Sequence, residues 1–143
     1  MHPEHPIYIV SKGRADTRLT SKALERMGVE YRIVIEAAEY DAYAAVIAPT
    51  KILILDPAYQ RTYDPCDDHG DRKSMGPGPA RNFVWDHAVA AGATWHWVMD
   101  DNIRRFYRWH RNAKVQILDG AGFRCMEDFC ARYENVTMGG AVL

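Results

Sequence analysis

Cysteine is scarce in this chain, with only Cys66, Cys125 and Cys130 among 143 residues. Three irregularly spaced thiols exclude a disulfide framework and a zinc knuckle, so free cysteines are expected. No apolar run approaches the roughly 20 residues that span a bilayer, and the polar start from Met1 to Pro6 has no apolar signal core behind it, which predicts a cytoplasmic protein. Excess charge of one sign is also missing. Eighteen basic residues face nineteen acidic ones for a net charge of −1, which argues against wholesale wrapping of nucleic acid and leaves only a local basic patch for it. Internal repeats and low-complexity tracts are absent. The 48% hydrophobic and 26% charged residues exclude a disordered or fibrous chain and predict one ordinary domain over residues 1–143 with a real core.

Short β-branched runs alternate with helical spacing along the chain. Residues 7–10 read as a buried strand that ends in the polar loop Ser11-Lys12-Gly13-Arg14. From Asp16 or Thr17, the residues Leu19, Ala23, Leu24 and Met27 share a helical face, and Gly28 supplies a stop. Residues 31–35 predict a second strand, Tyr40 to Ile47 a short helix before Pro49, and residues 51–55 a third strand. Periodicity lapses over residues 56–78, which read as a long surface loop whose acidic stretch, residues 64–71, is expected to be solvated. Pro79 suits a first helical turn, and Phe83, Val84, His87, Ala88 and Ala91 share a face. Residues 94–99 then read as a strand that runs directly into Asp100-Asp101-Asn102. Residues 103–118 read as a hairpin turning near Asn112, a final helix carries Phe123, Met126, Cys130 and Tyr133 on one side, and Val136 begins a further strand. The alternation predicts an α/β fold with a mostly parallel, doubly wound sheet, in which ligands bind beyond the carboxyl ends of the strands.

Three constellations stand out, two of them at such ends. Asp100-Asp101-Asn102 places adjacent carboxylates beside an apolar strand, which is costly unless a cation, a donor or solvent offsets the charge. Mg²⁺ takes one or two carboxylates together with substrate phosphate oxygens, and a turn cap is the plainer alternative. Gly76-Pro77-Gly78-Pro79-Ala80-Arg81-Asn82 opens a helix whose free N–H groups and guanidinium favour an anion. It is neither a Walker loop nor a dinucleotide fingerprint, and taken alone it reads as a rigid helix entry with a solvated Arg81. Ser11-Lys12-Gly13-Arg14 borders the crevice and offers its cations to a phosphate or base, or simply begins a helix. Elsewhere, Arg104, Arg105, Arg108 and Arg111 interleave with Phe106, Tyr107, Trp109 and His110. That pattern suits phosphate contacts and base stacking, and it equally suits a hairpin with one core face and one solvated face. Ser/His/Asp and Cys/His arrangements have no local context.

In order and spacing, the series of residues 7–14, 78–82 and 95–103 resembles the TET-associated glycosyltransferases, a family found largely in phages and bacterial genomes. The stretch Met126-Glu127-Asp128-Phe129 with Asn135-Val136 is also similar to the family, so the resemblance covers nearly the whole chain. It implies a Rossmann-like GT-A nucleotide-sugar-binding fold with a DxD-like motif. The implied activity is that of a metal-dependent hexosyltransferase, moving a sugar from a nucleotide-sugar such as a UDP-sugar to a hydroxymethylated pyrimidine in DNA, 5-hydroxymethylcytosine above all. The implied cofactor is a divalent cation, Mn²⁺ or Mg²⁺, held by Asp101 with Asn102. Asp100 would contact ribose or a metal-bound water, so that Asp100 and Asp101 carry the catalysis. Ser11, Lys12 and Arg14 would line the nucleotide from one side, and Arg81 with Asn82 from the other. The implied place of action is the cytoplasm of a bacterium or phage-infected host.

The motif ends in Asn102 where many GT-A proteins have Asp, and the chain stops near where an acceptor half and general base would begin. A C-terminally truncated domain with an exposed sheet edge is therefore expected. Glu127 and Asp128 read as a solvated helix face, and no base is assigned. Two other readings stay open: a non-catalytic nucleotide or nucleic-acid binding module, and a metal-dependent nuclease or phosphotransferase, for which Asp56 is the one further strand-end acid.

Overall fold

Four of the short runs become neighbouring strands because both of their faces can be buried. The computed structural model describes residues 1–66 and 75–141. In it β1 (Ile7–Val10), β2 (Arg32–Ile35), β3 (Ile52–Ile54) and β4 (Trp97–Asp100) form one sheet in the order β3-β2-β1-β4, and every neighbouring pair is parallel. Alternate side chains feed two separate cores, as the period of two along a strand requires. Ile7, Ile9, Ile33, Ile35 and Met99 pack with Leu24 of α1 (Leu19–Arg26), Tyr43 of α2 (Tyr40–Ala44) and Phe123 of α5 (Ala121–Cys130). Tyr8, Val10 and Val34 point the other way, onto Val84 and Ala88 of α4 (Gly78–Ala90), with Tyr59 of α3 (Pro57–Thr62) packed alongside. The result is a three-layer, Rossmann-like α/β arrangement, in agreement with the expected α/β class and parallel sheet.

The chain runs from β1 outward to β2 and β3, then returns to place β4 on the far side of β1. Loops leaving β1 and β4 therefore diverge, and a crevice opens between them at the topological switch point. Register sets what faces that crevice. Val10 lies opposite Asp100, so Ser11 emerges beside Asp101. Val10 also lies opposite Val34 and Ile35 opposite Ile54, so Glu36 emerges on the other side of the same loop.

Several expectations are corrected. Residues 94–96 are not strand; β4 begins at Trp97, whose N–H donates to Pro6 O at 2.9 Å, and it includes Asp100 as its last residue. The stretch read as loop from residue 56 contains α3, started by Asp56, whose Oδ1 accepts from Ala58 N at 2.8 Å, and by Pro57 in the first turn. That is an N-cap followed by a proline at the first helical position, a start signal independent of apolar spacing. No strand forms after Val136 among the described residues, and β4 is an edge of the sheet there. The middle of the acidic loop, residues 67–74, lies outside the described residues. Glu127 is not solvated. Its carboxylate is buried and accepts from Glu4 N at 2.7 Å, His5 N at 3.1 Å and Trp97 Nε1 at 2.8 Å. It ties α5 to the start of the chain and to β4, while Asp128 stays exposed and pairs with Arg124 at 2.9 Å.

The hairpin does form, as β5 (Tyr107–His110) and β6 (Ala113–Gln116) in a separate two-stranded sheet. Arg111 and Asn112 make its two-residue turn with φ of 50° and 60°, the left-handed pair that matches strand twist. The expected core face is absent: every residue of β5 is exposed, and in β6 only Val115 is partly covered.

Candidate functional site

The crevice at the carboxyl ends of β1, β2 and β4 is a cleft of about 540 Å³, a volume suited to a small-molecule ligand. Ser11, Lys12, Arg14, Asp100, Asp101 and Asn102 line it, with Gly76, Pro77, Pro79 and Ala80 at the start of α4 forming the facing wall. The loops that the sequence singled out thus meet. Arg81 reaches the same place from one turn inside α4, with Nη2 2.7 Å from Asp100 Oδ1. Asn82 does not line the cleft and is exposed on α4.

The two carboxylates differ. Asp101 is the more enclosed: it accepts from Ser11 Oγ at 2.7 Å and lies 3.5 Å from Arg14 Nε. The Asp100 side chain is 57% exposed and faces Arg81. Each acid of the pair is thus offset by its own guanidinium, and two adjacent negative charges persist at the end of a buried strand without a large penalty. An ion pair as exposed as Arg81–Asp100 contributes about 0–1 kcal/mol to stability, so its arrangement matters more for charge placement than for holding the fold.

Residues with no local signal in the sequence build the frame around them. Tyr43, fully buried on α2, bonds Ser11 Oγ at 2.6 Å through its hydroxyl and accepts from Arg14 N at 3.1 Å. Burial raises its pKa, so it stays protonated and can donate. Thr20, also fully buried, donates Oγ1–H to Asp100 O at 2.6 Å and accepts from Ile103 N at 2.8 Å, clamping the acidic turn to the first turn of α1. Glu36 accepts from Lys12 Nζ at 2.7 Å and from Gln60 Nε2 at 2.9 Å. The bond to Glu36 raises the Lys12 pKa and keeps the ammonium charged. Gly13 turns the loop at φ +67°, its N–H held by Glu39. Partners of these residues lie 24 to 83 positions away in sequence, so short-range spacing could not reveal them.

Two acids that competed for roles are already engaged. Asp56 caps α3 and is not a wall of the cleft, and the three donors on Glu127 commit it to holding the fold.

Residues 5–143 match the family described as TET-Associated Glycosyltransferase. The chain belongs to the TET-associated glycosyltransferase family. No curated protein and no solved structure matches it. Membership makes this a chain of a glycosyltransferase family associated with DNA modification. No helix among the described residues is long and apolar enough to cross a membrane.

For a divalent cation the donor set is sparse: among the described residues no three His, Cys, Asp or Glu side chains cluster as ligands. Adjacent Asp100 and Asp101, with Asn102 beside them, nevertheless fit an ion that draws its remaining ligands from water and substrate phosphates. They do not fit an all-protein metal cage.

Proposed function

We propose that this TET-associated glycosyltransferase binds a nucleotide-sugar, a UDP-sugar by preference, in the cleft between β1 and β4 and transfers its sugar to a hydroxymethylated pyrimidine in DNA. One observation carries the reading: two arginines from opposite walls, Arg14 and Arg81, converge on the Asp100-Asp101 pair at the switch point of the sheet. A diphosphate lying there would meet both guanidiniums and the N-terminus of α4, whose N-cap residue, Pro77, supplies no side-chain cap. Glu36, at the end of β2, is placed to accept from ribose hydroxyls, as an acid at that position does in nucleotide-binding α/β folds.

Asp101 with Asn102 would hold Mn²⁺ or Mg²⁺, and Asp100 the ribose or a metal-bound water. When bound, the cation supplies Lewis-acid stabilisation of the departing diphosphate. The chain's own contribution is electrostatic. Negative charge grows on the diphosphate as the glycosidic bond breaks, and Arg14 and Arg81 are fixed in advance to receive it. Ser11 and Tyr43 orient Asp101, and Thr20 holds the backbone of the turn at a fixed height above β4. Lys12, tied to Glu36, closes the nucleotide side.

The test is transfer of labelled glucose from UDP-glucose, with Mn²⁺, to DNA containing 5-hydroxymethylcytosine and to the same DNA unmodified. Label on the modified strand alone is expected. Label on neither strand, from protein that binds UDP-glucose, would refute the acceptor assignment.

A further inference from the structure

The β5–β6 ribbon carries aromatic side chains without burying them. Residues 103–118 hold five of the eighteen basic residues and none of the nineteen acidic ones, so the rest of the chain has thirteen basic against nineteen acidic residues. A net acidic body therefore bears one wholly basic projection. Cross-strand pairing puts Tyr107, Trp109, Lys114 and Gln116 on one face and Arg108, His110, Ala113 and Val115 on the other. Trp109 is 74% exposed, and Lys114 Nζ sits 4.8 Å from the centre of the Tyr107 ring. A two-stranded ribbon without a packed face is marginal in water, so packing does not explain this composition.

Among the described residues, the ribbon is anchored at its base. Phe106 packs edge-on to Phe123 of α5 with ring centres 5.0 Å apart, Ile117 N donates to Phe106 O at 2.9 Å, and Arg26 of α1 donates to Arg104 O at 3.1 Å. Only Ile103 to Phe106 separate Asn102 from Tyr107, which keeps the start of the ribbon within about 18 Å of the acidic turn. A basic, aromatic arm thus follows the acidic turn after four residues, with its base held against the last turn of α1 and against α5.

We propose that the β5–β6 ribbon is the surface that holds the acceptor DNA: Trp109 stacks on an unpaired base, and Arg104, Arg108, Arg111 and Lys114 take the phosphates. The proposal rests on DNA being the acceptor. A polyanion complements five cations in a segment without acids, and a base, which presents a π face, is the partner an exposed indole flanked by cations fits best. Such a surface also resolves the near-neutral net charge of the chain, because the nucleic-acid interface is confined to one arm.

The experiment is fluorescence anisotropy of a fluorescein-labelled single-stranded oligonucleotide with the full chain, across a salt series, for wild type, Trp109→Ala, Trp109→Phe and the double variant Arg108→Glu/Arg111→Glu. UDP-glucose affinity of each variant is measured in parallel and is expected to match wild type, since none of these residues lines the cleft. Trp109→Ala is expected to weaken binding about fivefold to a hundredfold without changing the salt slope, and Trp109→Phe to restore most of it. The double variant should flatten the slope of log affinity against log salt by about 0.7 for each phosphate that is no longer neutralised. Wild-type protein that binds the strand while all variants bind equally well would overturn the ribbon and leave DNA as acceptor intact. Wild-type protein that binds UDP-glucose but no DNA would overturn the ribbon and the DNA assignment together.

Discussion

β1 and β5 are both four-residue strands with aromatic and branched or basic side chains, yet all four residues of β1 are buried and all four of β5 are exposed. The difference lies in neighbours. β1 has a parallel partner on each side and helices on both faces, so every side chain replaces water with protein. β5 has one partner and, among the described residues, nothing over either face. Aromatic content, then, does not by itself mark a core. In the sheet it supplies the stability, and in the ribbon it is kept in solvent.

The largest effect should come from setting the two regions directly against each other. Ile33→Ala, at a fully buried β2 position, is expected to cost about 2–5 kcal/mol in denaturant unfolding. Trp109→Ala removes more atoms but should change stability by less than about 0.5 kcal/mol. Similar losses for both would dissolve the distinction between sheet and ribbon.

A smaller effect is expected where the sheet meets the site. Thr20→Val keeps the volume and removes the two hydrogen bonds that clamp the acidic turn, leaving Ile103 N and Asp100 O to find other partners. Stability should fall by about 1–3 kcal/mol, with weaker UDP-glucose binding than that loss of stability alone explains. Unaltered UDP-glucose affinity would mean that the turn keeps its geometry without the clamp.

A third effect separates the regions by pH. His87 of α4 bonds Tyr8 Oη at 3.0 Å, and burial, helped by nearby Arg32, lowers its pKa. Burial lowers that of His96 too. The unfolded chain takes up these protons near pH 6.5 while the folded chain still resists, so the unfolded state binds more protons in that window. Stability should therefore fall as pH drops from about 7 through 6.5, until the folded-state pKa values are passed. Thermal melts of His87→Gln should show a shallower decline. An undiminished decline would locate the proton uptake elsewhere.

Much of the sheet was legible because its strands are short apolar runs punctuated by Gly, Pro and polar loops. Arg14 and the Asp100-Asp101 pair were legible from one rule, that ligands gather at carboxyl ends of parallel strands, whereas Arg81 was indicated only by the family resemblance. What stayed hidden depended on packing across the fold. Glu127 has the spacing of a solvated helical residue and is buried because the first turn of chain and Trp97 converge on it. Thr20 and Tyr43 look like ordinary helix residues, and only the packing of α1 and α2 against the sheet brings their hydroxyls to the turn. The ribbon's sequence permitted a core face; the absence of any element covering it, among the described residues, is a tertiary fact.

The central claim, a donor held in the cleft through the acidic turn, is tested most directly by calorimetric titration of UDP-glucose into wild type and Asp101→Ala, each with and without Mn²⁺, after thermal melts establish that the variant is folded. Tight binding is expected only for wild type with Mn²⁺. Equal affinity in all four titrations would contradict it.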